Sequence, residues 1–585
     1  MPNFKHALLI SSRCFIFDAS MFIRIKKTPN SPKAAVQLVQ TIREGKTIRQ
    51  KMVRHFGYAL NEEEIDGLKK LAERYKLELE QKNLPTLFSK ENLIALIEAG
   101  AKKAETDNTP LPVNLRDVKE EKRIRVGIHQ TYGRLFDRIG FGSVIKNPLR
   151  KKASVILLRN IVMARIAKPI SKRSSVEMLE QEYGITADVN AVYRMMDLLD
   201  QSAIDKTKQL SYQYSKNLLE EKVNIIFYDC TTLYFESFIE DDLKQNGYSK
   251  DGKFNQSQVL LAIMVTEAGL PVGYDLFEGS KFEGHTLDNA LEELHQRYKI
   301  DKLIFVADAA MLSTDNIEKF KQIKQPFIVG ARLKNESKSL TTQILNMSNY
   351  QPLYEDNQHS DEITYKNIPK TDQGLRLIVT YSHKRAAKDK YDREKAIESL
   401  TKRIAKSPNP TSLLNNFGYK KFVKLQGEAK LIIDDLKIKE AEKWDGLHGI
   451  ISNIENEEAK TLLHHYKGLW QVEETFRISK HDLRMRPIFH WTSKRIKAHI
   501  ALCFMALMCV RVLEYSVRLQ YKKLSPAAIR NELMRLETSI LKDYKTQKQY
   551  AMPSKASQDA KKIYQTLGLK WNDTPYLIKN KTKSG

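Results

Sequence analysis

The stretch Tyr466–His490, YKGLWQVEETFRISKHDLRMRPIFH, brings an acid, a base and a phenol together at a fixed interval. Tyr466, Glu473 and Lys480 recur every seven residues, or two helical turns. That spacing predicts one shared helix face with Leu469 and Phe476 packed beside it. Such a stripe suits a site that handles phosphate and metal; the same spacing also describes a surface helix with ordinary ion pairs. Partners for Glu473 must come from elsewhere. Two other acids qualify because each ends a short apolar run: Asp229 after Val223–Tyr228 (VNIIFY) and Asp308 after Leu303–Ala307 (LIFVA).

The elements around these acids read as β-β-β-α-β-α-β. A short strand over 223–229 that ends on its Asp, with β character continuing over 231–235, is followed by a hairpin, Gln258–Thr266 and Leu270–Phe277, turning at Glu267-Ala268-Gly269. A helix over 286–298, the strand ending at Asp308, a helix over 314–324 and a strand over 327–333 complete the order. If the first and fourth strands lie side by side and parallel, Asp229 and Asp308 meet at one end, and Glu473 arrives from the later helix. Three converging carboxylates stay ionised only around a cation. Hard divalent ions prefer such oxygen sites, and two of them about 4 Å apart suit phosphodiester chemistry. A lone Asp at a strand end is otherwise a turn or helix cap. Glu474 points about 100° away around the helix, and Asp482 lies more than two turns on, which favours Glu473 as the third acid. From Phe476 to His499 seven basic residues (Arg477, Lys480, Arg484, Arg486, Lys494, Arg495, Lys497) face one acid, with Phe489 and Trp491 interleaved. This is a phosphate-tracking surface with aromatic rings on which a displaced base could stack. His285, His464, His465 and His481 have no metal-site partners at motif spacing.

A chain of 585 residues with 42% hydrophobic and 29% charged residues has material for several domains and a large core. Its net charge of +26 attracts polyanions, nucleic acid above all, although charge alone also describes ribosomal or chaperone-like proteins. Residues 22–57 alternate around turns at Pro29-Asn30 and Glu44-Gly45 and read as a small antiparallel sheet. Between Met21 and Leu60 nine Lys or Arg face only Glu44, which fits either a ribbon on DNA phosphates or a solvated, lysine-guarded edge. Helical patterns cover 62–82 and 90–105, and TDNTPLPVN (106–114) reads as a linker. Residues 122–219 look helical almost throughout. Within them Ser171–Leu199 reads as a helix-turn-helix with Lys172 and Arg173 at its entry, a geometry equally common in plain bundles. Residues 335–450 read as an insertion of its own β character, with a charged helix over 384–404. A buried helix over 495–519 follows, and the lysine-rich segment from 542 reads as partly flexible. Cys14, Cys230, Cys503 and Cys509 form no CxxC pair, which fits a reducing cytosol. The run Ile500–Val510 is too short to span a bilayer, so no membrane partner is expected. Residues 1–20 read as a leader or an upstream start.

The spacing Y466-x2-L469-x3-E473-x6-K480 resembles the Tyr-Arg-Glu-Lys signature of bacterial insertion-sequence DDE transposases, the "insertion sequence four" group and close relatives. FYDCTTLYFES around Asp229, GYSKDGK (247–253), GLPVGYDLFEG (269–279), VADAAMLS around Asp308, DLRMRPIFHW (482–491) and FIRIKKTPNS near the start are similar to blocks of that group. The resemblance covers about residues 21–520. It implies an α/β fold with an RNase H-like catalytic core, a mixed five-stranded sheet with helices interrupted by a β-rich insertion. An N-terminal small β-sheet (21–110) and a helical DNA-end-binding region (115–220) precede the core. The core would occupy 221–334 and 451–541, the insertion 335–450, and a basic segment 542–585.

Carried over, Asp229, Asp308 and Glu473 are the catalytic and metal-binding residues. Tyr466, Arg477, Lys480, Arg484 and Arg486 face DNA. The resemblance further implies two Mg²⁺ ions (Mn²⁺ substituting), double-stranded DNA as partner at terminal inverted repeats and target, a homodimer in the end complex, and a cytoplasmic, nucleoid-associated enzyme. One position departs: the signature arginine is Leu469, which cannot make a bidentate phosphate contact, so that role is lost or passes to Arg477 or Lys467. The resemblance thus points to cut-and-paste transposition; a nuclease or resolvase without strand transfer, and a silent DNA-binding regulator, are the rival readings.

Overall fold

The computed structural model describes residues 21–27, 34–44, 47–59, 65, 68–69, 72–73, 76, 113–149, 151–220, 222–236, 239–247, 256–297, 303–354, 362–370, 374–406, 422–426 and 430–578. The expectations for residues 1–20, the Pro29-Asn30 turn, the helix over 90–105, most of that over 62–82, linker residues 106–112, the block 248–253 and residues 579–585 lie outside the described residues. The chain divides into two compact units.

The smaller unit holds an antiparallel meander of β1 (Met21–Lys27), β2 (Ala34–Glu44) and β3 (Thr47–Ala59), in that order. The alternation predicts this sheet, and it forms because Val36, Leu38 and Val39 bury on the central strand. Arg24 crosses from β1 to Gln37 at 2.8 Å.

The larger unit opens with a correction. Residues 118–125 form a strand, β4 (Val118–Arg125), where the periodicity predicts a helix from 122. Helices α1 (Gly127–Ile139), α2 (Lys152–Ala167), α3 (Lys172–Tyr183), α4 (Val189–Met196) and α5 (Gln201–Leu218) follow. The α3–α4 pair is the expected helix-turn-helix: Ser171 caps α3 through the Ser174 amide, and Asp188 caps α4 through the Asn190 and Ala191 amides. Lys172 does not face outward at its entry, however. It is 5% exposed, with Nζ 3.2 Å from His499 Nδ1, so only the exposed Arg173 is available there.

The main sheet is built from β5 (Ile225–Tyr234), β6 (Gln258–Thr266), β7 (Pro271–Glu278), helix α6 (Leu287–Glu292), β8 (Ile304–Ala307), helix α7 (Thr314–Gln322) and β9 (Phe327–Gly330). Strands β5, β8 and β9 run parallel, and β5, β6 and β7 form an antiparallel meander. The predicted β-β-β-α-β-α-β order is therefore present. Parallel strands must be covered on both faces, which explains their nearly continuous apolar runs. On one side Phe320 of α7 stacks on Phe327 at 4.5 Å and lies 5.5 Å from Phe305.

After helix α8 (Lys338–Leu345) come β10 (Gln351–Pro352), β11 (Ile363–Lys370), β12 (Leu375–Ser382), helix α9 (His383–Lys406), the hairpin β13 (Val423–Gln426) and β14 (Lys430–Ile433), helix α10 (Asp435–Glu442) and β15 (Leu447–Ser452). Here the expectation of an insertion with its own β character is corrected. Strands β10, β11, β12 and β15 join the main sheet in the order β10-β11-β12-β15-β9-β8-β5-β6-β7, giving nine strands rather than five. Left alone, β9 would expose a row of unpaired backbone groups; β15 closes that edge through Ile450↔Gly330 and Ser452↔Ile328.

Helices α11 (Ala459–Lys467), α12 (Trp470–Arg477), α13 (Ser493–Gln520) and α14 (Pro526–Met534) follow, then β16 (Glu537–Asp543), β17 (Gln549–Pro553), α15 (Gln558–Thr566) and β18 (Tyr576–Leu577). By length and composition α13 could cross a membrane, but its apolar window is 94% buried inside the protein. Buried Arg511 ties it to the β6–β7 turn at Gly269 O (2.8 Å) and to Gln471 of α12 (3.1 Å). The segment from 542, expected to be partly flexible, is folded through residue 578. Strands β18-β17-β16-β4 form one sheet, and Ile563, Tyr564, Leu567 and Trp571 are buried. Its lysines conceal sparse apolar anchors whose sheet partner lies far away in sequence. Trp571 Nε1 donates to Ser554 O at 3.0 Å, and its ring meets Tyr564 edge-on at 5.6 Å. Trp571→Ala is therefore expected to destabilise the larger unit by about 3–5 kcal/mol. Denaturant unfolding checks this, and an unchanged midpoint would restore the flexible reading.

Candidate functional site

The site begins with a register. Tyr228 pairs with Ala307 as the last parallel couple of β5 and β8, so the next residues, Asp229 and Asp308, emerge side by side. Asp308 leaves the sheet at once; its Oδ1 accepts the Ala310 amide at 2.8 Å and caps a single 3₁₀ turn, Ala309–Met311. Asp229, by contrast, stands mid-strand rather than at a strand end. Antiparallel β6 goes on pairing with β5 as far as Tyr234↔Gln258 after β8 has stopped. Its Oδ1 accepts the Cys230 amide at 2.7 Å.

Alternation divides the neighbours of Asp229 between the two faces. Tyr228 and Cys230 turn to Thr286, with Tyr228 Oη 2.8 Å from Thr286 Oγ1. Phe227 shares the face of Asp229, and that face receives the helices. A methyl group on Gly468 would stand 2.3 Å from Phe227 Cζ, so the chain between α11 and α12 lies directly on β5. Only glycine permits that approach.

The helical run carrying Tyr466, Glu473 and Lys480 is not one uniform helix. Gly468 and Leu469 donate to His465 O and Tyr466 O, three-residue bonds that tighten the joint between α11 and α12. Beyond α12, residues Ile478–Asp482 widen into a π turn. The seven-residue stripe is thus wound tight between Tyr466 and Glu473 and slack around Lys480. Glu473 is exposed, and Tyr466 and Lys480 are half-buried.

Tyr466 reaches the ends of the parallel strands. A methyl on Gly330, at the end of β9, would lie 2.7 Å from Tyr466 Oη and 2.9 Å from the Ala309 amide nitrogen. The phenol's pKa is pushed up to about 12, by burial first and then by the negative charges of Asp308, Glu473 and Asp229. All three predicted acids therefore bear on one hydroxyl, which stays protonated at neutral pH. They do not close into a ring of ligands: among the described residues no three His, Cys, Asp or Glu groups are gathered closely enough to hold an ion. The donor set is carboxylate oxygen throughout, the chemistry that hard divalent ions prefer.

Of the predicted basic residues, Arg477 is engaged. Its guanidinium makes a two-pronged contact with Glu474 (2.7 Å each) and lies 3.4 Å from Asp482. The pairing holds the Glu474 carboxyl below its ordinary pKa, and the positive charge of Arg511 adds to the effect. Lys467 Nζ donates to Tyr354 Oη, so it too has a partner. Arg486 lies over the Tyr234 ring at 4.7 Å, near the end of β5, and Arg484 is exposed. Phe489 (65% exposed) and Trp491 (67%) stand out into solvent, with Lys244 Nζ 6.0 Å above the Trp491 ring. His464, His481 and His285 are exposed, and His465 pairs with Glu457 at 3.5 Å.

One residue of the site is absent from the sequence expectations. Exposed Arg332, just after β9, donates from Nε to Ala309 O at 3.1 Å and so stands beside the Asp308 turn. Its signal is positional: it is the charged residue following the third parallel strand, and ligands gather at the carboxyl ends of such strands. His448 lies 5.6 Å from the Tyr466 ring, brought there by β15, an element whose sheet partner the sequence does not reveal.

Two family descriptions match this chain: "Transposase DDE domain" over residues 222–509, and "IS1634 family transposase, N-terminal domain" over 23–86. No curated protein matches. Among solved structures the chain is similar to a piggyBac transposase synaptic complex with hairpin DNA, at 10% identity, covering 77% of this chain and 80% of that one, with a TM-score of 0.34. It is also similar to a Mos1 transposase paired-end complex with the left transposon end, at 11% identity, 27% and 53% coverage and a TM-score of 0.14. The first description spans every acid of the site and the second spans all but the first two residues of the N-terminal meander, so the chain belongs to the insertion-sequence DDE transposases, a family of DNA-processing enzymes.

Proposed function

We propose that this transposase performs metal-dependent cut-and-paste transposition: it cleaves DNA at the terminal inverted repeats of its element and joins the freed 3′-hydroxyl to target DNA. The observation that carries the reading is the parallel register that sets Asp229 beside Asp308 within the matched domain, with Glu473 acting with both on the pKa of Tyr466. An RNase H-like core is supported by the strand order β7-β6-β5-β8-β9, with three parallel strands beside an antiparallel meander.

Asp229, Asp308 and Glu473 are the groups that would hold Mg²⁺, or Mn²⁺ in its place. Bound there, the ions supply activation of the attacking oxygen and charge stabilisation of the leaving one. The chain's own groups do the rest. Tyr466 remains a neutral donor, able to hydrogen-bond a phosphate oxygen without adding a negative charge. Arg332, fixed by Ala309 O, takes the phosphate contact that Leu469 cannot make. Lys480, Arg484 and Arg486 carry the strand onward. Arg477 is held by Glu474 and Asp482, which offset its charge and keep it from gripping a phosphate. Double-stranded DNA is the substrate, and pairing two ends favours a homodimer.

The deciding assay combines the purified protein, Mg²⁺ or Mn²⁺, and a supercoiled plasmid carrying the element's ends. Released element and new insertions are expected; cutting without insertion would mark a nuclease, and binding without cutting a silent regulator. In the same assay Glu473→Gln is expected to lower cleavage by about a hundredfold or more while end binding persists, the scale on which one group stabilising the transition state matters. Cleavage at the wild-type rate would remove Glu473 from the site.

A separate prediction concerns Tyr466. In Asp308→Asn one negative charge beside the phenol is gone, so the phenolate is less disfavoured and the pKa falls from about 12. A tyrosinate difference titration, with Tyr466→Phe as the blank, should show an earlier ionisation; no shift would mean that the acid and the phenol are not coupled.

A further inference from the structure

The π turn that ends the helical run also forms one wall of a cavity of about 530 Å³. The α2–α3 connection contributes Lys168 to it, the turn contributes His481, the residues just after the turn contribute Arg484, and α14 contributes Arg530. None of the three acids of the site lines it.

The charges around this space do not balance. Arg125 and Arg535 also line it, but each already has carboxylate partners: Glu182 and Glu537 for Arg125, and Glu532 at 2.8 Å for Arg535. The one acid in the lining, Asp482, directs its carboxylate to Arg477 at 3.4 Å. Arg530 Nη1 donates to the backbone oxygen of Asp482 at 3.1 Å and makes no carboxylate pair among the described residues. Among the described residues no carboxylate lies within ion-pair distance of Lys168 or Arg484 either. Three cations thus converge without a counter-charge, an arrangement that favours binding of an anion. Arg484 is moreover held at φ 42°, in the left-handed region that non-glycine residues occupy at a cost and that clusters at ligand sites.

We propose that this cavity is a phosphate-binding site that grips the DNA strand after it leaves the acidic cluster. The assignment to DNA rests on the transposase reading above; the convergence of cations does not. Arg484 follows Glu473 by eleven residues and stands just past the end of the helical run that carries it. Two planar guanidiniums and a lysine lining one space suit a phosphodiester. A free phosphate compound offers the same chemistry, so the test must separate the two sources.

The full chain, the double variant Lys168→Gln/Arg484→Gln and the single variant Arg530→Gln are compared in binding a fluorescent duplex carrying the element's terminal repeat, across a salt series. Each variant is expected to bind about tenfold more weakly, with the slope of log affinity against log salt shallower by roughly one for each phosphate no longer gripped. Lys168 and Arg484 are exposed, so the double variant tests the site even if Arg530→Gln perturbs folding. Wild-type affinity and slope in the double variant would overturn the proposal. A wild-type chain that fails to bind the duplex overturns the transposase reading instead, and the DNA assignment with it. Pyrophosphate titrated calorimetrically without DNA supplies the second arm. Heat abolished in the double variant, together with unchanged DNA binding, would assign the cavity to a free phosphate and overturn the strand assignment.

Discussion

The acidic end of this protein depends on a parallel register. Tyr228 opposite Ala307 sets Asp229 beside Asp308. A slip by one residue would turn Asp229 to the face of Thr286 and bring Cys230 out in its place. Backbone hydrogen bonds alone cannot prevent such a slip, because they repeat along the strand. The side chains above and below prevent it: Phe305, Phe320 and Phe327 pack one face, and Phe227 meets Gly468 on the other. Packing on both faces thus converts two ordinary strand sequences into a pair of adjacent carboxylates.

The helical run that brings Glu473 meets the same constraint from above. Gly468 lets the backbone settle onto Phe227, and Gly330 leaves room for the Tyr466 hydroxyl beside the Asp308 turn. The tightened joint and the slack π turn are how one run of residues can lie flat on β5 and still carry Lys480 onward. Arg511 stabilises the placement from behind by linking α12, the β6–β7 turn and α13 within the core. A buried guanidinium costs desolvation, and its bonds to Gly269, Gln471 and Glu514 offset that cost.

The strand order was legible because each apolar run has the length and punctuation of a buried strand, and the two acids followed from those runs. What escaped were pairings between distant segments. Asp229 reads as a strand end, since nothing local says that β6 continues past β8. The insertion reads as separate because the edge that β15 must cover belongs to β9, about a hundred residues earlier. Lys172 reads as a surface cation because its partner, His499, lies 327 positions away. Arg332 has a positional clue in the strand before it, but that strand carries no acid to mark its end as part of a site. The helix stripe was right in outline, but its phase is altered by three-residue and five-residue bonds that spacing cannot reveal.

The sheet made by β4 with β16–β18 bears on how the protein is made. Arg125 and its partner Glu537 are 412 residues apart. At synthesis rates of about 5–20 residues per second, β4 waits roughly twenty to eighty seconds for the strand that completes it. During that interval its open edge is a template for pairing with other chains. A nascent chain is therefore open to such pairing at β4 until β16 has emerged and joined it.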